Sequence, residues 1–116
     1  MSKEQSINVM DSSTALERIG GDFSFLNELL DLYSEEYSAR HKDLQEAVEQ
    51  NDFIRVEEIA HSLKGASANL SLTNLQKASY ELELSAKKKN KENVIRNFHH
   101  LDVEFQKLSD WRQQIE

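Results

Sequence analysis

Residues 22–51 read DFSFLNELLDLYSEEYSARHKDLQEAVEQN, and this stretch decides the fold. Its large apolar residues recur at steps of three and four, interrupted at Arg40 or His41; they are Leu26, Leu30, Tyr33, Tyr37, Leu44 and Val48. Such spacing places side chains on one face of an α-helix. Asp22 is suited to cap the start of this helix, while Asn51 and Asp52 are suited to end it and to cap the next. The stretch therefore predicts one long amphipathic helix.

The same spacing recurs in three later segments. The stripe of the second segment consists of Phe53, Val56, Ala60, Leu63, Ser67 and Leu70. The third segment starts at Ser71 or Thr73, and its stripe consists of Leu72, Leu75, Ala78 or Ser79, Leu82 and Ala86. The stripe of the fourth segment is broken at Arg112 and consists of Val94, Phe98, Leu101, Phe105, Leu108 and Ile115. Four such segments joined by short polar turns predict an all-α, up-down-up-down four-helix bundle over residues 11–116. We also expect a short extra N-terminal helix that starts at Asp11 or Ser12 and ends at Gly20, preceded by a flexible leader over residues 1–10.

Composition narrows the class of protein. The 116 residues, enough for one domain, include no proline, which favours uninterrupted helices, and no cysteine, which excludes disulfides and thiolate metal sites. No apolar run approaches the roughly 20 residues needed to cross a bilayer, so we expect a cytoplasmic protein without a membrane span. The net charge of −7 argues against a nucleic-acid partner. We interpret the lysine cluster at residues 87–91 as a solvated turn, and less readily as a contact for a partner's acidic rim.

The third segment holds residues that core packing does not explain. At about 100° per residue, His61 points more than about 120° from the centre of its buried stripe, so it faces solvent. Lys64, Gly65 and Ala68 follow at helical spacing and share that face. A glycine inside a helix costs about 1 kcal/mol relative to alanine, and Gly65 lies off the stripe. We interpret it as room for a tetrahedral group beside a nucleophilic imidazole, with Lys64 as a source of charged donors.

Residues 61–67, HSLKGAS, resemble the signature H-x-L-K-G-x-[SA] of the histidine-containing phosphotransfer (HPt) domain, and Asn69 with Leu70 continues it. Downstream, Ala78, Leu82 and Glu83 resemble the A-x-x-x-L-E element of the following helix. Upstream, residues 21–30 resemble the start of the family's long helix, so the resemblance spans roughly residues 12–110. Ser71 stands where the family commonly has glycine, and we expect this to tighten or slightly shift the helix end.

The resemblance implies a phosphorelay carrier in two-component signal transduction. His61 would accept a phosphoryl group from a receiver-domain aspartate and pass it to another receiver. Lys64 would stabilise that group, Gly65 would leave space for it, and the small side chain of Ala68 would not project into the same space. Glu83 would either orient the imidazole or only cap the edge of the site. Such a carrier is not an enzyme with its own kinase or nucleotide site, and it needs no cofactor, because Mg²⁺ is expected on the partner receiver.

The partners implied are response-regulator receiver domains, a hybrid sensor histidine kinase, or both. Ile54 falls on the His61 side two turns earlier, where the core needs no large apolar residue. We therefore predict that Ile54, Glu57 and Glu58 form part of the partner-binding surface together with Ala68. A bundle that buries its apolar stripes in its own core needs no second subunit to cover them, so we expect a monomer.

Two other functions stay open at this point. The chain could be a receiver-binding helical module that transfers no phosphate. It could also be a metal-binding bundle, which places Glu-x-x-His pairs inward on facing helices. Glu58 and His61 have that spacing, but both are predicted to point outward. His99 and His100 are adjacent and diverge by about 100°, so they do not share a ligand site.

Overall fold

The computed structural model describes residues 20–115, with side chains through residue 114. It contains four helices: α1 (Phe23–Glu49), α2 (Phe53–Asn69), α3 (Thr73–Lys87) and α4 (Lys91–Ile115). Three-residue turns join them, so successive helices run antiparallel, and no strand occurs in this range. The prediction of an all-α, up-down-up-down bundle is therefore confirmed. The leader and the short extra helix fall on residues 1–19, outside the described part of the chain, as does the side chain at position 115.

The starts of α1, α2 and α3 are secured in two different ways. Asp22 accepts a hydrogen bond from the backbone N–H of Phe25 at 3.0 Å, and Asp52 accepts one from Arg55 at 3.2 Å. These two side chains cap α1 and α2, as their spacing ahead of the apolar stripes predicts. At α3 the capping position is held by Leu72, which forms no side-chain cap but is fully buried. The start of α3 is thus secured by packing instead of by a hydrogen bond.

The ends of α1, α2 and α3 share one backbone motif. Asn51, Ser71 and Lys89 each follow a helix with φ of 55°, 56° and 54°, in the left-handed region that favours glycine. After α2, the N–H of Ser71 bonds to the carbonyl of Ala68 at 3.1 Å, which is part of a Schellman helix end. The substitution of serine for the family's usual glycine therefore leaves a glycine-type turn in place, with the serine itself in the disfavoured conformation.

The bundle core is built from the predicted stripes. The buried apolar residues are Leu26, Leu30, Tyr33, Tyr37, Leu44, Ala47, Val56, Ile59, Ala60, Leu63, Leu72, Leu75, Ala78, Leu82, Ala86, Val94, Phe98, Leu101, Leu108 and Trp111. Ala47, Ile59 and Trp111 are additions that the stripes missed, whereas Phe105 and Leu70 are only partly buried. Among residues 20–115, no helix is long and apolar enough to cross a membrane.

One polar contact inside the core sets the register between α1 and α2. The Tyr33 hydroxyl lies 2.9 Å from Ser67 Oγ, and Ser67 in turn donates to the carbonyl of Leu63 at 2.8 Å. Burial raises the pKa of Tyr33 to about 12, although the bond to Ser67 opposes that rise. Because Ser67 is held inward, the opposite face of α2 is directed away from the core.

Candidate functional site

His61 projects from the outward face of α2. Its side chain is 67 % exposed, whereas Ala60 and Leu63 beside it are fully buried. The Nδ1 atom lies 3.0 Å from Oε2 of Glu83, which α3 presents from the neighbouring helix. A carboxylate accepts hydrogen bonds, so this contact places the ring proton on Nδ1. In the neutral ring Nε2 then carries the free lone pair, on an imidazole whose orientation is fixed.

Glu83 is the buried charge at the centre of the site. Its side chain is only 6 % exposed, and Lys64 Nζ lies 2.9 Å from Oε1 while Lys87 Nζ lies 3.9 Å from Oε2. Burial raises the pKa of Glu83, but the contacts with Lys64 and His61 outweigh burial and hold the pKa below its ordinary value of 4.5. The carboxylate is therefore ionised at neutral pH and offers the imidazole a permanent acceptor.

Lys64 is held on two sides. Its ammonium contacts Glu83 and also lies 4.9 Å from the centroid of the Tyr80 ring, within cation–π range. Because Glu83 contacts both Lys64 and His61, the structure brings together three of the residues that the sequence singled out. Lys87 is a fourth neighbour that the sequence analysis assigned to the solvated turn. Its spacing of four residues from Glu83 is the signal that could have placed it here.

Gly65 and Ala68 lie on the same side of α2. A Cβ atom added to Gly65 would meet no heavy atom within 4 Å, so no neighbouring helix requires the glycine. Close helix packing is thereby removed as its explanation. Ala68, one turn further, is partly buried. The surface next to His61 is open, with space for a group larger than the imidazole.

The residues predicted to bind a partner occupy the start of α2. Ile54 is 69 % exposed, and Glu58 is exposed as well. Glu57 is partly buried, and its Oε2 lies 4.0 Å from Lys87 Nζ, which connects it to α3. The structure thus places an exposed apolar side chain and two carboxylates on the N-terminal side of His61. No described contact links Ile54 to the site itself.

The same geometry bears on the alternative that the chain is a metal-binding bundle. Within residues 20–114, no three histidine, aspartate or glutamate side chains are arranged to hold a metal ion. Glu58 is exposed, and the Nδ1 atom of His61 is occupied by Glu83. The Glu-x-x-His spacing on α2 therefore does not converge on a common point.

Comparison with known proteins agrees with this geometry. The Hpt domain family model matches residues 28–111, a range that includes His61, Lys64 and Glu83. The histidine-containing phosphotransfer protein ZmHP2 from maize has a similar structure, with a TM-score of 0.72 and 22 % sequence identity over 99 % of this chain and 87 % of that chain. No curated protein sequence matches the chain significantly. Since the family match covers most of the sequence, this chain belongs to the Hpt domain family, whose members are phosphotransfer carriers in two-component signalling and interact with receiver domains and histidine kinases.

Proposed function

We propose that this chain is a relay intermediate that accepts a phosphoryl group on Nε2 of His61 from the aspartate of one receiver domain and passes it to the aspartate of another. The observation that carries the proposal is the 3.0 Å contact between Nδ1 and Glu83 on an imidazole that is 67 % exposed. One nitrogen is anchored and the ring is open to a partner, which is the arrangement that a nucleophile needs when its co-reactant belongs to another protein.

The transfer step follows from this tautomer. The Nε2 lone pair attacks the phosphorus of the aspartyl phosphate, the N–P bond forms, and the P–O bond breaks to release the aspartate carboxylate. No proton has to leave Nε2, and the Nδ1 proton stays in place. The ring becomes cationic as it is phosphorylated, so the nearby Glu83 carboxylate offsets the new charge. The reverse sequence returns the group to a second aspartate.

Lys64 and Gly65 support the same step. The Lys64 stem is flexible, so its ammonium can move from Glu83 towards the phosphoryl oxygens and supply charge-assisted donors. The open space beside Gly65 accepts those oxygens. We assign Mg²⁺ to the acidic residues of the receiver, because phosphoryl transfer needs a cation at the phosphorylated aspartate and not at the histidine. This chain then needs no cofactor, kinase activity or nucleotide site of its own.

The partner surface in this proposal consists of Ile54, Glu57, Glu58 and Ala68 around the histidine. Ile54 supports it, since an exposed large apolar residue on the outer face of α2 has no packing role in the bundle. The stripes of all four helices meet in one core, which supports a monomeric carrier.

The test is label transfer from a receiver domain phosphorylated on its aspartate. We expect acid-labile, base-stable label on the wild type and none on His61→Gln. His99→Gln is the matched control, because His99 is also an exposed helical histidine. Label that persists in His61→Gln would refute the site. If several receivers bind the chain but none labels it, the chain is a receiver-binding module without phosphotransfer.

A further inference from the structure

A row of alternating charges crosses from α2 to α3 beside His61. Lys87 Nζ lies 4.0 Å from Glu57 Oε2 and 3.9 Å from Glu83 Oε2. On the other oxygen of Glu83, Lys64 Nζ lies at 2.9 Å. The two carboxylates therefore flank Lys87, and the two ammonium groups flank Glu83. The proposed transfer step involves Lys64 and Glu83 but gives Lys87 no role.

Lys87 is the loosely held cation of this row. Its side chain is 52 % exposed, against 27 % for Lys64, and both of its contacts are at the outer limit of an ion pair. A glutamate four residues before a lysine on a helix stands in the order that favours their pairing. The flexible four-carbon stem lets the ammonium close on Glu83 without any movement of α3. Lys87 is thus available to Glu83 and committed to neither carboxylate.

Phosphoryl transfer to His61 creates a need for a second cation at Glu83. In the proposed step Lys64 leaves Glu83 for the phosphoryl oxygens, and it does so while the imidazole is still neutral. Burial would raise the pKa of Glu83, and the contacts with Lys64 and His61 hold it below its ordinary value. Once Lys64 has left, a carboxylate that is only 6 % exposed keeps a neutral ring as its nearest partner. Separating a buried ion pair is costly, because the charge left behind is uncompensated.

We propose that Lys87 is a positioning residue for phosphoryl transfer, which takes the place of Lys64 at Glu83 and so releases Lys64 to the phosphoryl group. The inference rests on the proposed function, in which His61 is the acceptor, and adds to it the residue that lets Lys64 move. Oε2 of Glu83 can accept from Nδ1 of His61 and from Lys87 together, since a carboxylate oxygen has two lone pairs. The orientation of the imidazole is therefore kept while the two ammonium groups exchange.

The experiment compares a phosphoryl donor that has no docking surface with one that has. Phosphoramidate labels an imidazole when the Nε2 lone pair attacks its phosphorus, a new N–P bond forms, and the donor's own P–N bond breaks to release ammonia. The rate of labelling of His61 in the full chain is measured with phosphoramidate and with a phosphorylated receiver at increasing concentration. We expect Lys87→Met to slow labelling about fivefold with both donors, which is the upper range for a partly exposed ion pair.

Three further variants isolate the route by which Lys87 acts, each checked for native helicity by circular dichroism. Lys88→Met is the matched control, because Lys88 is exposed, forms no ion pair within residues 20–114 and carries the same charge one position along. We expect it to stay within about twofold of wild type. Lys87→Arg keeps the charge and should restore most of the rate. In a chain that already carries Lys64→Met, Lys87→Met should slow labelling by less than about twofold, because no Lys64 is left to release.

An effect of Lys87→Met that appears only with the receiver, or only in the half-saturating receiver concentration, would overturn the proposal and make Lys87 a partner contact. An equal loss in Lys88→Met, or an undiminished loss in the Lys64→Met chain, would overturn it as well. The proposed function is decided separately. Labelling by phosphoramidate with the Lys87 effect, but by no receiver, would refute the relay and leave this inference standing. Transfer from a receiver at a rate that Lys87→Met does not change would do the opposite, and absence of label from both donors would overturn both.

Discussion

His61 and His41 each contact a carboxylate from another helix, yet the two pairs are built the opposite way round. At His61 the imidazole is 67 % exposed and the Glu83 side chain only 6 % exposed. At His41 the imidazole is 29 % exposed and the Asp102 side chain 38 % exposed. His61 uses Nδ1 for its carboxylate, whereas His41 uses Nε2, which lies 2.8 Å from Asp102 Oδ1. The first pair leaves Nε2 for chemistry and the second does not.

The surroundings of His41 explain its different role. Its ring stacks on Phe98 with centroids 5.2 Å apart, and the Tyr37 hydroxyl donates to Asp102 at 2.7 Å. Burial and the bond to Asp102 raise the pKa of Tyr37 well above its ordinary value, so the hydroxyl remains a donor in alkaline solution. The cluster joins α1 to α4. Comparison of the two histidines indicates that exposure of the ring separates their uses: the His61 ring is open to a partner, whereas the less exposed His41 ring helps to hold α1 against α4.

The largest expected effect separates the two histidines by chemistry. In the label-transfer assay, His61→Gln should lose all label, while His41→Gln should be labelled as fully as the wild type. The reason is that, of these two histidines, His61 is the one whose Nε2 is free on an exposed ring. Loss of label in a folded His41→Gln protein, with helicity verified by circular dichroism, would break the comparison.

The free energy of unfolding should separate the two histidine–carboxylate pairs in the reverse order, with the larger loss at the His41–Asp102 pair. Asp102→Ala removes the acceptor of the largely buried Tyr37 hydroxyl and the partner of His41, so we expect it to lower the free energy of unfolding by about 2 kcal/mol. His61→Ala should lower it by less than about 0.5 kcal/mol, because the ring is exposed and Glu83 keeps Lys64. Urea denaturation measures both changes. A larger loss from His61→Ala would mean that the site, too, fastens helices.

The two carboxylates, Glu83 and Asp102, should differ in their effect on the rate of phosphoryl transfer. Glu83→Gln keeps an acceptor for Nδ1 but removes its charge, and a charge-assisted bond is about twice as strong as a neutral one, so we expect transfer to slow about tenfold. Asp102→Asn should leave the rate within about twofold of wild type. Single-turnover transfer from a saturating phosphorylated receiver provides the rates. An unchanged rate in Glu83→Gln would show that Glu83 only caps the edge of the site.

The smallest expected effect is on how the free energy of unfolding depends on pH in acid solution. Burial would raise the pKa of Glu83, but Lys64 and His61 hold it below 4.5. A group with a lowered pKa in the folded state stabilises the fold above its unfolded pKa, and this contribution is lost as pH falls through the folded value. The unfolding free energy of the wild type should therefore fall more steeply below about pH 4.5 than that of Glu83→Gln. Urea titrations at about pH 7, 4.5 and 3 measure the slopes, and parallel slopes would contradict a charged Glu83.

Periodicity could predict the bundle because burial of one face is a property of each helix alone. Three-and-four spacing located nearly all of the core, and it missed Trp111 because the last stripe was extended from Leu108 to position 115. The same helical periodicity predicts that His61 points outward and that Lys64 and Gly65 are its neighbours. These predictions require no knowledge of how the helices pack against one another.

Contacts between helices could not be predicted in this way. His41 entered the sequence analysis only as an interruption of a stripe, since its bond to Asp102 depends on the rotation and register of α1 against α4. Glu83 was left with two roles, and the 3.0 Å contact to Nδ1, which supports the orienting role, depends on how α2 and α3 pack together. Lys87 was assigned to a turn although its ammonium lies 3.9 Å from Glu83. Each of these features depends on the relative placement of two helices.

The α2–α3 hairpin carries the whole candidate site, and this has a consequence for the order of folding. The bond between His61 and Glu83 joins residues 22 positions apart, whereas that between His41 and Asp102 joins residues 61 positions apart. Closing the longer loop costs about 0.9 kcal/mol more in chain entropy. On a ribosome, Glu83 is also synthesised before any of α4 exists. We therefore expect the reactive hairpin to form early and the docking of α4 against α1 to complete folding.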